Sequence, residues 1–195
     1  LYPDPERFPH GIKWLADYAH SKGVKLGIYN DYGTKTCGGY TGSEGYLQKD
    51  AQTFAEWEID YLKMDGCYSQ LLDQHDAYPA MTRFLNETGR KIVYSCSWPA
   101  YDMNMDYAPL PPNCNLWRNW DDIECNWSSI KSIIDKFGNE TKWAEYAGPG
   151  HWNDADMIVV GLKGGTLTED ESKSHFAIWS ILASPLIMSN DLREL

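Results

Sequence analysis

Tyr61-Leu62-Lys63-Met64-Asp65-Gly66-Cys67 carries an apolar-flanked run into a cation, a carboxylate, a glycine and a cysteine in quick succession. With Ile59 just upstream, the run reads as a largely buried strand, and in α/β barrels chemistry sits where such strands emerge at their carboxyl ends. Asp65 therefore reads as a catalytic nucleophile. Lys63 and Asp65 lie two positions apart, so on a strand they project from the same face. An ammonium beside a carboxylate keeps it ionised and able to attack. Taken alone, a Lys-x-Asp pair describes a buried ion pair closing a strand at least as well, so the flanking sequence has to decide.

Outward from this stretch, helical and extended patterns alternate. Ile12, Leu15, Ala16 and Ala19 recur at helical spacing ahead of Gly23, and residues 24–29 read as a strand. A glycine-rich loop over 31–45 contains Cys37, and a short helix over 50–58 leads into the strand ending at Asp65. Residues 76–88 read as a helix with Pro79 in its first turn, followed by a strand over 91–95, a loop over 102–113 and a strand over 114–118. A helix over 128–137, a strand over 156–160, a helix over 168–183 and a last strand over 185–189 complete the pattern. That makes about six βα units and predicts a parallel sheet. Polar groups recur at the strand ends: Tyr29 and Asp31, Lys63 and Asp65, Ser97 and Trp98, Arg118 and Asp122, Asp154 and Asp156. The repetition favours a barrel with its site on one rim over a doubly wound sheet.

Composition narrows the function. A net charge of −11 disfavours nucleic acid and anionic membranes as partners. The longest apolar run, 176–188, contains Ser and Pro and falls short of the roughly 20 residues a membrane span needs. None of the five cysteines pair as C-x-x-C, which argues against a zinc site. The Asp154 and Asp156 loop has too few regularly spaced acids for a calcium loop, so no metal or cofactor is expected. Sequons at Asn86, Asn126 and Asn139, with nine Trp and thirteen Tyr, fit the secretory route. His151 reads as a loop-packing residue; His10, His20, His75 and His175 sit in or beside helices.

Asp65 needs a partner, and Asp122, in W-R-N-W-D-D over 117–122, is the best candidate. Glycoside hydrolysis uses two carboxyl groups flanking the scissile bond, and the nearby indoles offer stacking faces for a sugar. The same spacing also suits Asp121 and Asp122 as acids at the start of the following helix.

Further strings stand in order along the chain: F-P-H-G at 8–11, K-L-G-I-Y at 25–29, K-T-C at 35–37, D-A-Q-T-F-A at 50–55, L-K-M-D-G-C at 62–67, Y-S-C-S-W-P-A-Y at 94–101, W-R-N-W-D-D-I at 117–123, A-G-P-G-H-W-N-D at 147–154 and M-S-N-D-L-R at 188–193. Through them the sequence resembles, along nearly its whole length, the animal α-galactosidase and α-N-acetylgalactosaminidase family, retaining glycosidases of family 27. The resemblance implies a (β/α)8 TIM barrel of which residues 1–195 form a catalytic fragment, about strands 3 to 8. The first strands would lie before Leu1 and a C-terminal β-domain beyond Leu195. A length of 195 residues, against about 250 for a complete barrel, fits that expectation.

Carried over by position, the nucleophile falls on Asp65 and the acid/base on Asp122. Tyr29, Lys63, Arg118 and Asp156 match sugar-contacting positions, and Tyr101 and Met157 line the pocket. The family's disulfides would join Cys37 to Cys67 and Cys96 to Cys114, leaving Cys125 unpaired. Ala155 stands where relatives commonly carry Pro, so a looser turn is expected there. Ser97 and Ala100 replace the Glu and Leu of the family's galactosidases, leaving room for a 2-N-acetyl group. The implied activity is retaining hydrolysis of terminal α-linked N-acetylgalactosamine, with α-galactose hydrolysis as the alternative. Oligosaccharide, glycolipid or glycoprotein substrates, a homodimer at full length, and a lysosomal or secreted location go with it.

Overall fold

The computed structural model describes residues 1–193 and contains helices and strands in strict alternation at its start. In chain order the elements are α1 (Gly11–Ser21), β1 (Gly27–Asp31), α2 (Leu47–Glu56), β2 (Tyr61–Asp65), α3 (Leu71–Glu87), β3 (Val93–Cys96), α4 (Trp98–Tyr101), α5 (Leu110–Asn113), β4 (Leu116–Arg118), α6 (Trp127–Asn139), α7 (Trp143–Tyr146), β5 (Trp152–Asp154) and α8 (Glu169–Ile181). The strands form one parallel sheet in the order β1-β2-β3-β4-β5. Sequential parallel neighbours joined by helices are the repeating unit of a (β/α)8 barrel.

Strand β2 shows how the sheet is held. Leu62 and Met64 are buried against the helices, while Tyr61, Lys63 and Asp65 alternate to the opposite face and stay half-exposed. On the helix side, Ile12 of α1, Ala51 and Phe54 of α2, and Tyr78, Met81 and Leu85 of α3 close over Leu62, Met64, Tyr94 and Trp117. The Tyr78 hydroxyl donates to the Met64 carbonyl, and its ring stacks on Trp98 with centroids 5.6 Å apart. A second apolar cluster joins Ile130 and Ile133 of α6 to Ala155, Ile158, Val159 and Trp179 of α8.

At the amino end of the sheet, Asp60 gathers His20 at 2.7 Å, Arg90 at 3.0 Å, Lys25 at 3.4 Å and the Leu26 amide at 2.9 Å. Burial pushes this carboxyl up, but the hydrogen bonds from His20 and Leu26 outweigh it and hold Asp60 at about 2. The network pins α1, the entry to β1 and the approach to β3 around the start of β2.

The observed elements depart from the expected ones at defined points. The strand expected over 156–160 forms earlier, as β5, because Asp156 takes a left-handed backbone with φ 78° and ends the extension. Beyond it, Ile158 and Met188 make an isolated parallel bridge, all that forms of the strand expected over 185–189. Helix α3 begins at Leu71, so Pro79 lies inside it rather than in its first turn. The loop expected over 102–113 ends in the short helix α5. Cys37 is bonded to Cys67 and Cys96 to Cys114, while Cys125 is free.

Candidate active site

The sheet register assembles the site. Asp31 pairs with Asp65 at the carboxyl ends of β1 and β2, and Arg118 pairs with Asp154 at the ends of β4 and β5. Paired positions on parallel strands face the same side, so charged residues from four strands share one rim. Ser97, just past β3, continues the row: its amide donates to the Met64 carbonyl at 3.0 Å.

Three donors orient the Asp65 carboxylate. The Tyr29 hydroxyl donates to Oδ2 at 2.9 Å, the Tyr101 hydroxyl to Oδ1 at 2.8 Å, and the Gly66 amide to Oδ1 at 2.9 Å. Burial raises the Tyr29 phenol, with Asp31 and Asp65 adding to the shift, and burial followed by Asp65 does the same for Tyr101. Both phenols therefore stay protonated donors across the physiological range. Behind them Asp31 is fully buried and accepts the amides of Cys67 at 2.7 Å and Cys37 at 3.2 Å. Burial raises its carboxyl, against the opposing pull of Tyr29. The disulfide thus sits beside the carboxylate, with Cys37 Sγ 3.6 Å from Asp65 Oδ2. Asp31, Cys37 and Cys67 lie close enough to share an ion, but both sulfurs are consumed in the disulfide.

Lys63 is placed differently from expectation. Its Nζ lies 5.9 Å from the Tyr29 ring centroid, and among the described residues no ion pair joins it to Asp65. Lys63 pairs in register with Tyr29 and Ser95, one row below Asp65, and its charge acts on Asp154. Same-face residues two apart on a strand are separated by roughly 6.6 Å of rise, too far for an enforced contact.

On the opposite side of the rim Arg118, 4 % exposed, is the organising group. Its Nη2 lies 2.8 Å from Asp156 Oδ2 and 3.1 Å from Asp122 Oδ1, and it also donates to the carbonyls of Trp120 and Asp121. Asp156 further accepts the amides of Ile123 at 2.9 Å and Met157 at 2.8 Å, which seats Met157 on the rim. Asp154 is buried next to Arg118; burial pushes its carboxyl up and the guanidinium opposes the push. The Asp122 side chain is 94 % exposed, in contrast with every other group here. Neither Asp121 nor Asp122 caps a helix: α6 starts at Trp127, and its N-cap is Asn126, whose side chain accepts the Ser129 amide.

Ser97 is buried and Ala100 half-buried, and both lie on the turn of α4 that carries Tyr101. His151 stacks on Trp117 with centroids 6.4 Å apart and pairs its backbone with Gly148, a loop-packing role. The support given by Asp31 has one sequence signal, its position at the end of a strand alongside the one that ends in Asp65.

A family model described as Alpha galactosidase A matches residues 1–195. The α-N-acetylgalactosaminidase of Gallus gallus is 54% identical over 201 residues, covering 100% of this chain and 49% of its own length. The α-galactosidase A of Homo sapiens is 52% identical over 200 residues, covering 100% of this chain and 46% of its own length. The crystal structure of α-galactosidase I from Mortierella vinacea matches with a TM-score of 0.87 at 37% identity, covering 97% of this chain and 52% of that one. The chain thus spans about half the length of the curated relatives it matches.

Proposed function

The chain belongs to the alpha galactosidase A family, and from that membership we propose that the full-length protein is a retaining exo-α-glycosidase releasing terminal α-linked N-acetylgalactosamine from glycoconjugates. The observation that carries the reading is that two carboxylates at the strand ends are held differently: Asp65 is fixed by Tyr29, Tyr101 and the Gly66 amide, and exposed Asp122 is tied, among the described residues, to Arg118 alone. A nucleophile needs a fixed line of attack, whereas an acid/base must reach first the leaving oxygen and then a water.

In this mechanism Asp65 attacks the anomeric carbon while Asp122 protonates the departing oxygen, giving a covalent glycosyl intermediate. Asp122 then takes a proton from water, which displaces Asp65 and releases the sugar with net retention. Retention calls for carboxyl groups roughly 5 to 5.5 Å apart in the working enzyme. Tyr29, Lys63, Arg118 and Asp156 hold the sugar, and Tyr101 and Met157 line its pocket. Ser97 and Ala100 leave space beside the 2-position, with Ser97 as a donor to the N-acetyl group. Substrates would be oligosaccharides, glycolipids or glycoproteins, and a lysosomal or secreted homodimer fits this role.

The second reading, α-galactosidase, is favoured by the near-equal identity to human α-galactosidase A, 52% against 54%. Hydrolysis of matched aryl α-N-acetylgalactosaminide and α-galactoside by the full-length protein at mildly acidic pH decides between them. Preference for the first supports the proposal; preference for the second replaces it. Absence of both activities would overturn the glycosidase assignment.

A further inference from the structure

Arg118 is the one polar anchor of Asp122 among the described residues, and it is overcommitted. Its Nη2 lies within hydrogen-bonding distance of Asp156 Oδ2, Asp121 O, Asp122 Oδ1 and Trp120 O, at 2.8, 3.0, 3.1 and 3.2 Å. A guanidinium NH2 carries two hydrogens, so it cannot bond all four acceptors fully at once. The buried Asp156 competes for them, and an exposed carboxylate that can turn to water is the weakest claimant. The Ile123 amide, which Asp156 accepts, fixes the backbone just beyond Asp122, and residues 120–122 need a further hold against the rim.

That support comes from α6. Lys136 Nζ lies 4.4 Å from the centroid of the Trp120 ring and 5.8 Å from that of Trp143, between the two indoles. Trp143 is an anchored wall: it is buried, stacks on Tyr107 at 5.7 Å and meets Phe137 edge-on at 5.0 Å. Glu140, one turn on, pairs with Lys136 at 3.0 Å. The Lys136 side chain is only 24 % exposed, so its attraction to the indole faces is less diluted by water than at an open surface. Trp120, in turn, lies midway between Arg118 and Asp122 in sequence.

We propose that Lys136 is a positioning residue for Asp122: it clamps the Trp120 indole between α6 and the loop and so fixes where the acid/base carboxyl stands. The inference rests on the reading of Asp122 as acid/base. It assigns a role to a residue far along α6 that touches neither the sugar nor either carboxylate.

The test uses the full-length protein and two substrates sharing the preferred sugar, a dinitrophenyl glycoside, whose leaving group departs without a proton, and a methyl glycoside, which needs one. Lys136→Met keeps the aliphatic stem and removes the charge; Lys136→Arg keeps charge and ring contact. General acid catalysis is worth roughly 10²–10⁴-fold, and a misplaced acid should forfeit about tenfold of it. Lys136→Met should therefore lose about tenfold in kcat/KM on the methyl glycoside, and less than about twofold on the dinitrophenyl glycoside, with Lys136→Arg restoring the loss. Trp120→Leu should give the same signature, and the double variant no more than the larger single effect. Trp120→Leu serves alone if Lys136→Met does not fold.

Equal losses on the two substrates, no loss on either, or additive losses in the double variant would overturn the proposal. Asp122→Asn in the same assay separates the two levels. If it shows the leaving-group dependence and Lys136→Met and Trp120→Leu do not, the clamp alone falls. If Asp122→Asn lacks that dependence, the acid/base assignment falls and the clamp falls with it.

Discussion

The hydroxyl of Tyr101 stands 2.8 Å from Oδ1 of Asp65, and the same oxygen accepts the Gly66 amide at 2.9 Å. One side chain and one peptide unit thus set the rotation of the proposed nucleophile, while Tyr29 holds the other oxygen. A hydrogen bond to a charged acceptor contributes about 1.5–3 kcal/mol, and about 1.4 kcal/mol is a factor of ten in rate. Tyr101→Phe is therefore expected to lower kcat/KM by about tenfold or more. Its thermal midpoint should hardly move, because Tyr101 is partly exposed. Unchanged kinetics would show that Gly66 and Tyr29 suffice.

Gly66 is where the backbone must pass beneath that phenol. A Cβ there would fall 2.9 Å from the Tyr101 ring and 2.6 Å from Nε2 of Gln74, a residue buried on α3 that reaches back to the Gly66 carbonyl. Gly66→Ala should displace Tyr101 and cost at least as much activity as Tyr101→Phe. It should also lower stability by about 1–3 kcal/mol, as overpacking does. Kinetics of the Gly66→Ala, Tyr101→Phe double variant check the coupling: a loss no larger than that of Gly66→Ala is expected, and full additivity would contradict the route through Tyr101.

The alternation of helices and strands was legible in the sequence because apolar spacing switches cleanly between the two periods, as at Ile12 to Ala19 and again at Leu62 and Met64. The ends of β2 and β4 were legible for the same reason, and they carry Asp65 and Arg118. What was not legible is third-dimensional. Lys63 and Asp65 share a face, yet the register sets Lys63 one row deeper, over Tyr29. Residues 156–160 have strand composition, but the Asp154 carboxylate accepts the Asp156 amide at 2.8 Å and Asp156 turns to φ 78°, so the extension ends at Asp154. Asp121 and Asp122 look like helix-start acids until Asn126 is seen to take the cap. In each case a local rule is overridden by a partner distant in sequence or by a competing hydrogen bond.

Arg118 and Asp156 are both buried, at 4 % and 7 % exposure, and in contact at 2.8 Å. Removing one partner of such a pair strands the other, at a cost of about 3–5 kcal/mol. Arg118→Met should therefore lower the urea midpoint markedly as well as abolish activity, whereas Asp122→Asn should abolish hydrolysis of unactivated substrates with little change in the midpoint. Equal stability of the two variants would count against the structural half of Arg118's role.

His175 gives the fold a pH dependence of definite sign. It is fully buried on α8, and its Nε2 accepts the Val159 amide at 3.3 Å, which requires that nitrogen to be unprotonated. Burial lowers its pKa from 6.5 to about 4. Between those values the unfolded chain binds the proton and the folded chain does not, so stability falls as pH drops from 6.5 towards 4 and the loss levels off below. The shift corresponds to roughly 3 kcal/mol at its limit. Asp60, held at about 2, contributes the same sign only below its ordinary value of 3.8, outside a mildly acidic range. Thermal midpoints measured from pH 7.5 to 4.5 should show a smaller decline in His175→Gln, which keeps an acceptor for Val159 without titrating; parallel declines would rule His175 out as the cause.

Under the proposed function Ser97 and Ala100 set substrate choice, because α4 ties them to the proposed nucleophile. Tyr101, on the same single turn, touches Asp65, and the Ala100 amide donates to the Ser97 carbonyl at 3.1 Å, so the two positions cannot move apart without moving Tyr101. On the proposed reading, small side chains there leave a gap beside the 2-position of a sugar bonded at Asp65. Replacing both together, Ser97→Glu with Ala100→Leu, fills that gap and sets a carboxylate where an acetamido methyl would rest. Hydrolysis of the aryl α-N-acetylgalactosaminide should fall by about a hundredfold or more, since a clash and a buried unpaired charge act together. Hydrolysis of the α-galactoside should persist or rise, its 2-hydroxyl being small and able to donate to the new carboxylate. A variant that loses both activities in proportion would mean that the turn supports Tyr101 but does not select the sugar.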